Sequence, residues 1–373
     1  MWNCGCDKRN PPPNFRRKVA GVWSSLICWR GPRQESILWV APSGTAFQFR
    51  NATTQSSSMN SSRAPHRQVW LAQPRGFCAG VCRALATVET ALERFGPPVF
   101  VNHEIVHNNH VTNDLKKRGV VFIQDLAEVP SGRPLIFSAH GVSAHVATAT
   151  KALGLTVIDA TCPLVEKVHR KGRRAERAGN KIVLIGHRNH PEVVGTIGQM
   201  KGSVHLVEKA GDVAALPEMS GHRITVLTQT TLTREDVSEV LAALSSRFPG
   251  LHGGDDLCYA TTNRQAAVRR LAECCPVILV VGSGHSSNSQ RLVEVAHRAG
   301  AVAHLVETAD DVRAEWLADG GNVGLTAAAS TPECLVEALV ARLHGLGWND
   351  VHELQGEPEA IAFSLPKMPG TPH

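Results

Sequence analysis

From Val69 onward, a short apolar run repeatedly ends in a cluster of polar or thiol-bearing residues, and a helical pattern usually follows. Val69–Ala72 leads to Cys78, Val99–Val101 to His107, Leu135–Phe137 to His140, and Val157–Ile158 to Cys162. Ile182–Ile185 leads to His190 and Glu192, and Ile224–Leu227 to Thr230 and Thr231. Val277–Val281 runs into Ser286, Ser287 and Asn288, and Val323–Leu325 into Ser330. Short β-rich runs alternating with helices predict βα units and parallel sheets. In such sheets ligands collect beyond the carboxyl ends of the strands. Loops are polar in any protein, which accounts for Ser and Asn there. The recurrence of Cys and His at the same place is better explained by an enzyme with one composite site.

Charge separates the first 66 residues from this pattern. They hold nine of the 39 Lys/Arg and two of the 33 Asp/Glu, and the remaining 30 bases and 31 acids nearly cancel. A near-neutral body with a single tyrosine offers neither a phosphate footprint nor stacking platforms, so nucleic-acid binding is not expected. No apolar run approaches the roughly 20 residues that cross a bilayer, and a soluble protein is expected. Residues 1–66 contain Pro11–Pro13, four of the seven tryptophans and a Ser/Thr/Asn-rich run, without sustained periodicity. They read either as a transit peptide or, preferably, as a non-homologous, disordered or mis-annotated stretch ahead of a true start at Met59. No role is assigned to Cys4, Cys6 or Cys28.

Cys78, Cys162 and Cys258 lie 84 and 96 residues apart, too far for a local metal knuckle. If they converge, three thiolates suit zinc, or an iron–sulfur cluster with one iron left without a protein ligand. Cys82, four residues after Cys78, reads as a buried thiol, and Cys274, Cys275 and Cys334 read as structural. His103–His107 matches H-E-x-x-H, the helical zinc-hydrolase signature. It continues a β-branched run instead of opening a helix, which begins at Asn108–Asn109. Gly282-Ser283-Gly284 begins a dinucleotide fingerprint, but Ser287 stands where its third glycine belongs. The Ser/Asn-rich turn before a helix over Ser289–Ala299 suits a phosphate instead. His107, His140, His190, Thr230 and Ser330 are further candidate donors, and Glu192 is the natural proton donor.

Several segments together resemble the bacterial 4-hydroxy-3-methylbut-2-enyl diphosphate reductase family (IspH/LytB). They are Pro74–Val81, His103–Asn108, Ser138–Ser143, Asp159–Val165, His190–Val193, Thr228–Leu232, Cys258–Gln265 and Ser286–Ser289. They stand in family order from Gln68 to Lys367. The resemblance implies three similar α/β domains with mainly parallel sheets around a central, cluster-containing cavity. The expected boundaries are 80–162, 163–259, and 67–79 with 260–373. It implies that Cys78, Cys162 and Cys258 hold a [4Fe–4S] cluster whose apical iron is open. Glu192 would supply protons and Thr230 would help place the substrate hydroxyl. His107, His140, His190, Ser286, Asn288 and Ser330 match diphosphate-binding positions, with Ser287 and Thr231 beside them.

The activity implied is reductive dehydroxylation to isopentenyl and dimethylallyl diphosphate, the last step of the methylerythritol phosphate pathway. It would run in the cytoplasm, with a ferredoxin or flavodoxin as electron donor. Cys82 stands where an acid is usual, Gly284-His285 replaces a Lys-Asn pair, and Ala328 replaces a glycine. Two rivals remain: a zinc hydrolase built on His103, Glu104 and His107, and a non-enzymatic cluster- or phosphate-binding regulator.

Overall fold

A computed structural model describes residues 39–40, 46–47, 67–219 and 221–369. The unit Asp7–Ala64 contains one antiparallel pair, β1 (Trp39–Val40) and β2 (Ala46–Phe47). The rest of residues 1–66, with Cys4, Cys6, Cys28 and Met59, lies outside the described residues, and so do the expectations that fall on it.

The rest of the fold follows β3 (Gln68–Leu71), α1 (Ala79–Phe95), β4 (Val99–Asn102), α2 (Asn109–Lys117) and β5 (Val120–Ile123). Then come β6 (Pro134–Phe137), α3 (Ala144–Ala152), β7 (Thr156–Asp159), α4 (Pro163–Arg177) and β8 (Lys181–Ile185). They are followed by α5 (Pro191–Ile197), β9 (Val204–Val207), β10 (Ile224–Thr228), α6 (Arg234–Arg247) and β11 (Leu251–Gly253). The chain continues with α7 (Tyr259–Ala272), β12 (Val277–Val281), α8 (Ser287–Arg298) and β13 (Val302–Val306), and with β14 (Val323–Ala327), α9 (Glu333–Gly345) and β15 (Asp350–Glu353).

Strands β3 to β15 build three sheets, ordered β5-β4-β6-β7, β11-β10-β8-β9 and β13-β12-β14-β3-β15. Every pairing within them is parallel. Parallel sheets covered on both faces need apolar strands throughout, and β4, β6 and β10 are buried at every position. Each sheet is flanked by two apolar clusters. Val101, Ile136 and Ile158 point into one cluster of the first sheet, and Phe100, Leu135 and Phe137 into the other. The second sheet divides the same way between Val183 and Leu184, and the third between Leu279 and Ile278.

The three sheets share one plan. In each, the second strand in sequence lies outside the first and the third lies on the other side, so the winding reverses between the first and third strands. The fourth position is taken by β7, β11 and β3 respectively. β3 therefore enters the third sheet from the far end of the sequence, its Val69 opposite both Val323 and Val351.

Helix starts carry their own signals. The side chains of Asn108, Ser143, Thr233 and Ser286 each accept a backbone N–H three residues on, capping α2, α3, α6 and α8. The last of these helices begins at Ser287, two residues before the start expected from sequence, because Ser286 takes the capping position. Among the described residues, no helix is long and apolar enough to cross a membrane.

Candidate functional site

The reversal points of all three sheets open onto one cavity of about 110 Å³. It is lined by residues after β4 and β6 (His107, His140), after β8 and β10 (His190, Glu192, Thr230, Thr231), and after β12 and β14 (Ser286, Ser287, Asn288, Ser330). The fourth-position strands add Cys162, Cys258 and Cys78 to the same wall. All thirteen residues singled out from the sequence thus meet in one place.

The cysteines are the residues immediately before α4, α7 and α1, and none of their side chains caps its helix. With α8 behind Ser286, four helices of 12 to 17 residues start at this cavity. Helix N-termini carry partial positive charge and free N–H groups, which favour thiolates and anions. No Lys or Arg lines the cavity, so the backbone supplies most of its positive potential.

In the chain alone, burial pushes the Cys162 thiol up to about 12, with the neighbouring Cys78 adding to the effect. Burial pushes the Cys258 thiol up to about 11, again with Cys78 second. Thiols held this way release protons only to a strong Lewis acid, so the set is suited to a soft metal centre. Gly80 leaves room beside these sulfurs, since a Cβ there would stand 2.7 Å from Cys162 Sγ and 3.7 Å from Cys78 Sγ.

The opposite wall is polar without formal cations. His107 stacks on His140 with ring centroids 4.1 Å apart, and His190 meets His107 edge-on at 5.5 Å. Burial, then His107, drives the His190 pKa down to about 3. The same two causes take His140 well below the ordinary imidazole value. His190 Nδ1 accepts the Glu192 N–H at 3.2 Å, which leaves the ring proton on Nε2. Among the described residues, His107 Nε2 and Asn288 Nδ2 are buried with no protein partner. Asn288 is held by its other end, accepting from Ala329 N at 2.9 Å. Ser330 Oγ donates to His107 O at 3.0 Å and ties the first lobe's loop to the third's. Thr231 donates to Ser287 Oγ at 2.9 Å and so joins the second.

Glu192 is 3 % exposed, and its carboxylate accepts from Thr230 N at 2.7 Å and Thr230 Oγ1 at 2.9 Å. Burial outweighs those bonds and raises its pKa to about 7. A carboxyl half-protonated near neutrality is poised to give up a proton.

The H-E-x-x-H segment is a loop in which His103 has φ +58°, so the helical zinc-hydrolase arrangement is absent. Glu104 instead lies 3.4 Å from His107 Nδ1 and 3.3 Å from His285 Nε2. Cys274 and Cys275 close the end of α7 ahead of β12, with Cys275 buried, while Cys334 is exposed on α9. Cys82 is half-buried on α1.

Sequence reasoning missed three contributors. Gly80 matters only through its approach to sulfurs from elsewhere in the chain. Arg264 is fully buried, donates to Gly76 O at 2.7 Å and 3.1 Å, and pairs with Glu359 at 3.0 Å. It thereby fastens the loop carrying Cys78 to the helix that begins after Cys258. Gln229 bridges His187 N, Thr231 and Ser287. An Arg in a helical pattern reads as solvated, and nothing local marks it as a clamp.

A sequence profile described as the LytB protein matches residues 69–344. The chain belongs to the LytB family. Among curated relatives, the 4-hydroxy-3-methylbut-2-enyl diphosphate reductase of Cronobacter sakazakii is 51 % identical over 305 residues, covering 80 % of this chain and 96 % of that protein. The Haemophilus influenzae protein of the same name is 50 % identical over 305 residues, with 80 % and 97 % covered. Among solved structures, the E-1-hydroxy-2-methyl-but-2-enyl-4-diphosphate reductase of Plasmodium falciparum superposes with a TM-score of 0.78 at 38 % identity, covering 81 % and 96 % of the two chains. A second, described as the terminal enzyme of the non-mevalonate pathway, gives 0.56 at 32 % identity, with 74 % and 99 % covered. The three α/β sheets of this LytB chain agree with those neighbours.

Proposed function

We propose that the chain is a 4-hydroxy-3-methylbut-2-enyl diphosphate reductase. On this reading it replaces the substrate's hydroxyl by hydrogen, using two electrons and two protons and releasing water. The products are isopentenyl and dimethylallyl diphosphate. One observation carries the reading: three thiols at helix N-termini, a buried carboxyl and a wall of uncharged donors converge on a single cavity. The enzyme is three-lobed on this view, 80–162, 163–259, and 67–79 with 260–373, and it works in the cytoplasm. Each lobe gives the cavity one thiol.

Cys78, Cys162 and Cys258 would hold a [4Fe–4S] cluster, which suits the thiol donor set and the space beside Gly80. When bound, it supplies low-potential electrons and an open iron that acts as a Lewis acid on the hydroxyl oxygen. The protein's own residues do the rest. Ser286, Asn288, Ser330 and the imidazoles donate hydrogen bonds to the diphosphate, and the N-terminus of α8 adds its dipole. With no Lys or Arg in the wall, no flexible cation competes for the thiolates. Thr230 orients Glu192 through two hydrogen bonds, and Glu192 delivers protons where the carbon–oxygen bond breaks.

The test is an anaerobic assay on iron- and sulfide-reconstituted protein with reduced methyl viologen and 4-hydroxy-3-methylbut-2-enyl diphosphate. Both five-carbon products are expected. Intact cluster absorbance with neither product would refute the enzyme and favour a cluster-binding regulator.

A further inference from the structure

Helix α4 runs from Cys162 to the protein surface, and its outer face is unusual in an otherwise near-neutral body. Lys167, Arg170, Arg174 and Arg177 are all exposed and recur at intervals of three, four and three residues. That spacing places them in one stripe along a single helix face. At 1.5 Å per residue the stripe is about 15 Å long, and its near end stands about 8 Å along the axis from Cys162. Among the described residues none of the four has an ion-pair partner.

The neighbouring charges are engaged elsewhere. Lys171 pairs with the buried Asp256 at 2.7 Å, and Arg173 with Glu166 at 2.7 Å. Glu176 turns away to accept the backbone N–H groups of Lys201 and Gly202 at 2.6 Å. The other face of the helix buries Val165, Val168 and Ala175, with Gly172 close against Met200 and Leu227. The helix is therefore locked with its cations outward. Like charges at these spacings destabilise a helix, so folding alone gives no reason to collect them.

We infer that this face of α4 docks an acidic, low-potential electron-carrier protein of iron–sulfur or flavin type. The inference rests on the redox reading above and deepens it. Reduction of a hydroxyl to a C–H bond with release of water needs two electrons from outside the chain. The turn at Gly282-Ser283-Gly284 has Ser287 where a dinucleotide fingerprint has its third glycine, so a partner protein is the electron source taken in this proposal. Each docking event oxidises one carrier by one electron, and two events with two protons complete one turnover. Electron transfer falls steeply with distance, and α4 is the element that joins a cavity thiol to an exposed positive surface.

Complementary charge steers such encounters and sets the association rate. A membrane is a poorer occupant, because the apolar face of α4 is already buried. Single-stranded nucleic acid is poorer too, since this groove is lined by basic residues with no aromatic side chain among them to stack on a base.

The test uses reconstituted holoenzyme carrying Arg170→Glu with Arg174→Glu, and separately Lys167→Gln with Arg177→Gln. Turnover is driven either by reduced methyl viologen or by a reduced flavodoxin. Viologen-driven turnover is expected not to fall. Flavodoxin-driven kcat/KM is expected to drop about tenfold or more for the reversal variant and less for the neutral one. Rising ionic strength should slow the parent with flavodoxin and affect the reversal variant little. Unchanged flavodoxin-driven turnover in both variants overturns the proposal, as does salt-dependent RNA binding that the variants lose without loss of flavodoxin coupling. Failure of the parent with viologen would instead refute the reductase reading itself.

Discussion

Gly80→Ala separates the needs of the fold from those of the site. Gly80 lies in the first turn of α1, where alanine has the better helix propensity by up to about 1 kcal/mol. Its φ is ordinary, so the backbone accepts a side chain. The new Cβ, however, would stand 2.7 Å from Cys162 Sγ, and ordinary contact begins at 3.4 Å. One of the two must give by about 0.7 Å, more than the roughly 0.5 Å within which a working constellation has to be held. The sulfur ends a short side chain and can rotate away. In the metal-free protein this costs about 1–3 kcal/mol of repacking, partly offset by the helix gain, and the melting temperature should move by only a few degrees. Iron loading should collapse, because the sulfur has turned from the cavity and the methyl fills part of the space beside Cys78. The assay is iron content and visible absorbance after anaerobic reconstitution, beside a melt of the metal-free protein. Full loading at parental stoichiometry would refute the cradle argument. Loss of loading together with gross unfolding would refute the claim that the backbone tolerates alanine.

Glu192→Gln should retain the iron chromophore and lower kcat by about 10²- to 10⁴-fold. The raised Glu192 pKa also sets a pH limb. The donor form is present below about 7 and is lost as pH rises through it, so activity should fall on the alkaline side. Thr230→Val removes a bond that favours the carboxylate and should move that limb to higher pH. Asn288→Leu keeps the side-chain size but removes the unpartnered Nδ2 donor, and should lower kcat/KM by about ten- to a hundredfold, mainly through KM. Arg264→Met leaves Gly76 O and Glu359 without their partner and should cost about 3–5 kcal/mol, read as a fall of many degrees in a melt.

Most strands that deliver site residues were legible in the sequence because they are apolar runs, β4, β6 and β10 being buried at every position; β7, a sheet edge, was legible only through Val157–Ile158. β5, β9, β11, β13 and β15 were not. All are sheet edges; His205, His252, His304 and Asp350 interrupt four of the runs where side chains reach outward, and in β5 the exposed residue is the apolar Val121. Site residues were legible for a related reason, since a Cys or His at the end of a parallel strand has little to do but face the ligand. Convergence of the three cysteines was not legible from spacing. It depends on a plan repeated three times, and in the third sheet the fourth position is filled from the opposite end of the sequence. The roles of Gly80 and Arg264 were hidden because each is defined by a partner dozens of residues away.

β3 lies between β14 and β15, so the third sheet cannot close until residue 353 has been made. The strands of the first two sheets, β4 to β11, are all made by residue 253. The segment bearing Cys78 has no place yet, because it is fixed by backbone bonds from Gly76 and Cys78 to Ala327 and Ala329. Of the three cavity cysteines, the first to leave the ribosome is thus the last to reach its place. On the proposed reading, a product that ends before β15 lacks the sheet neighbour that helps hold the Cys78 segment, so the three-thiol set forms only in a chain made through residue 353.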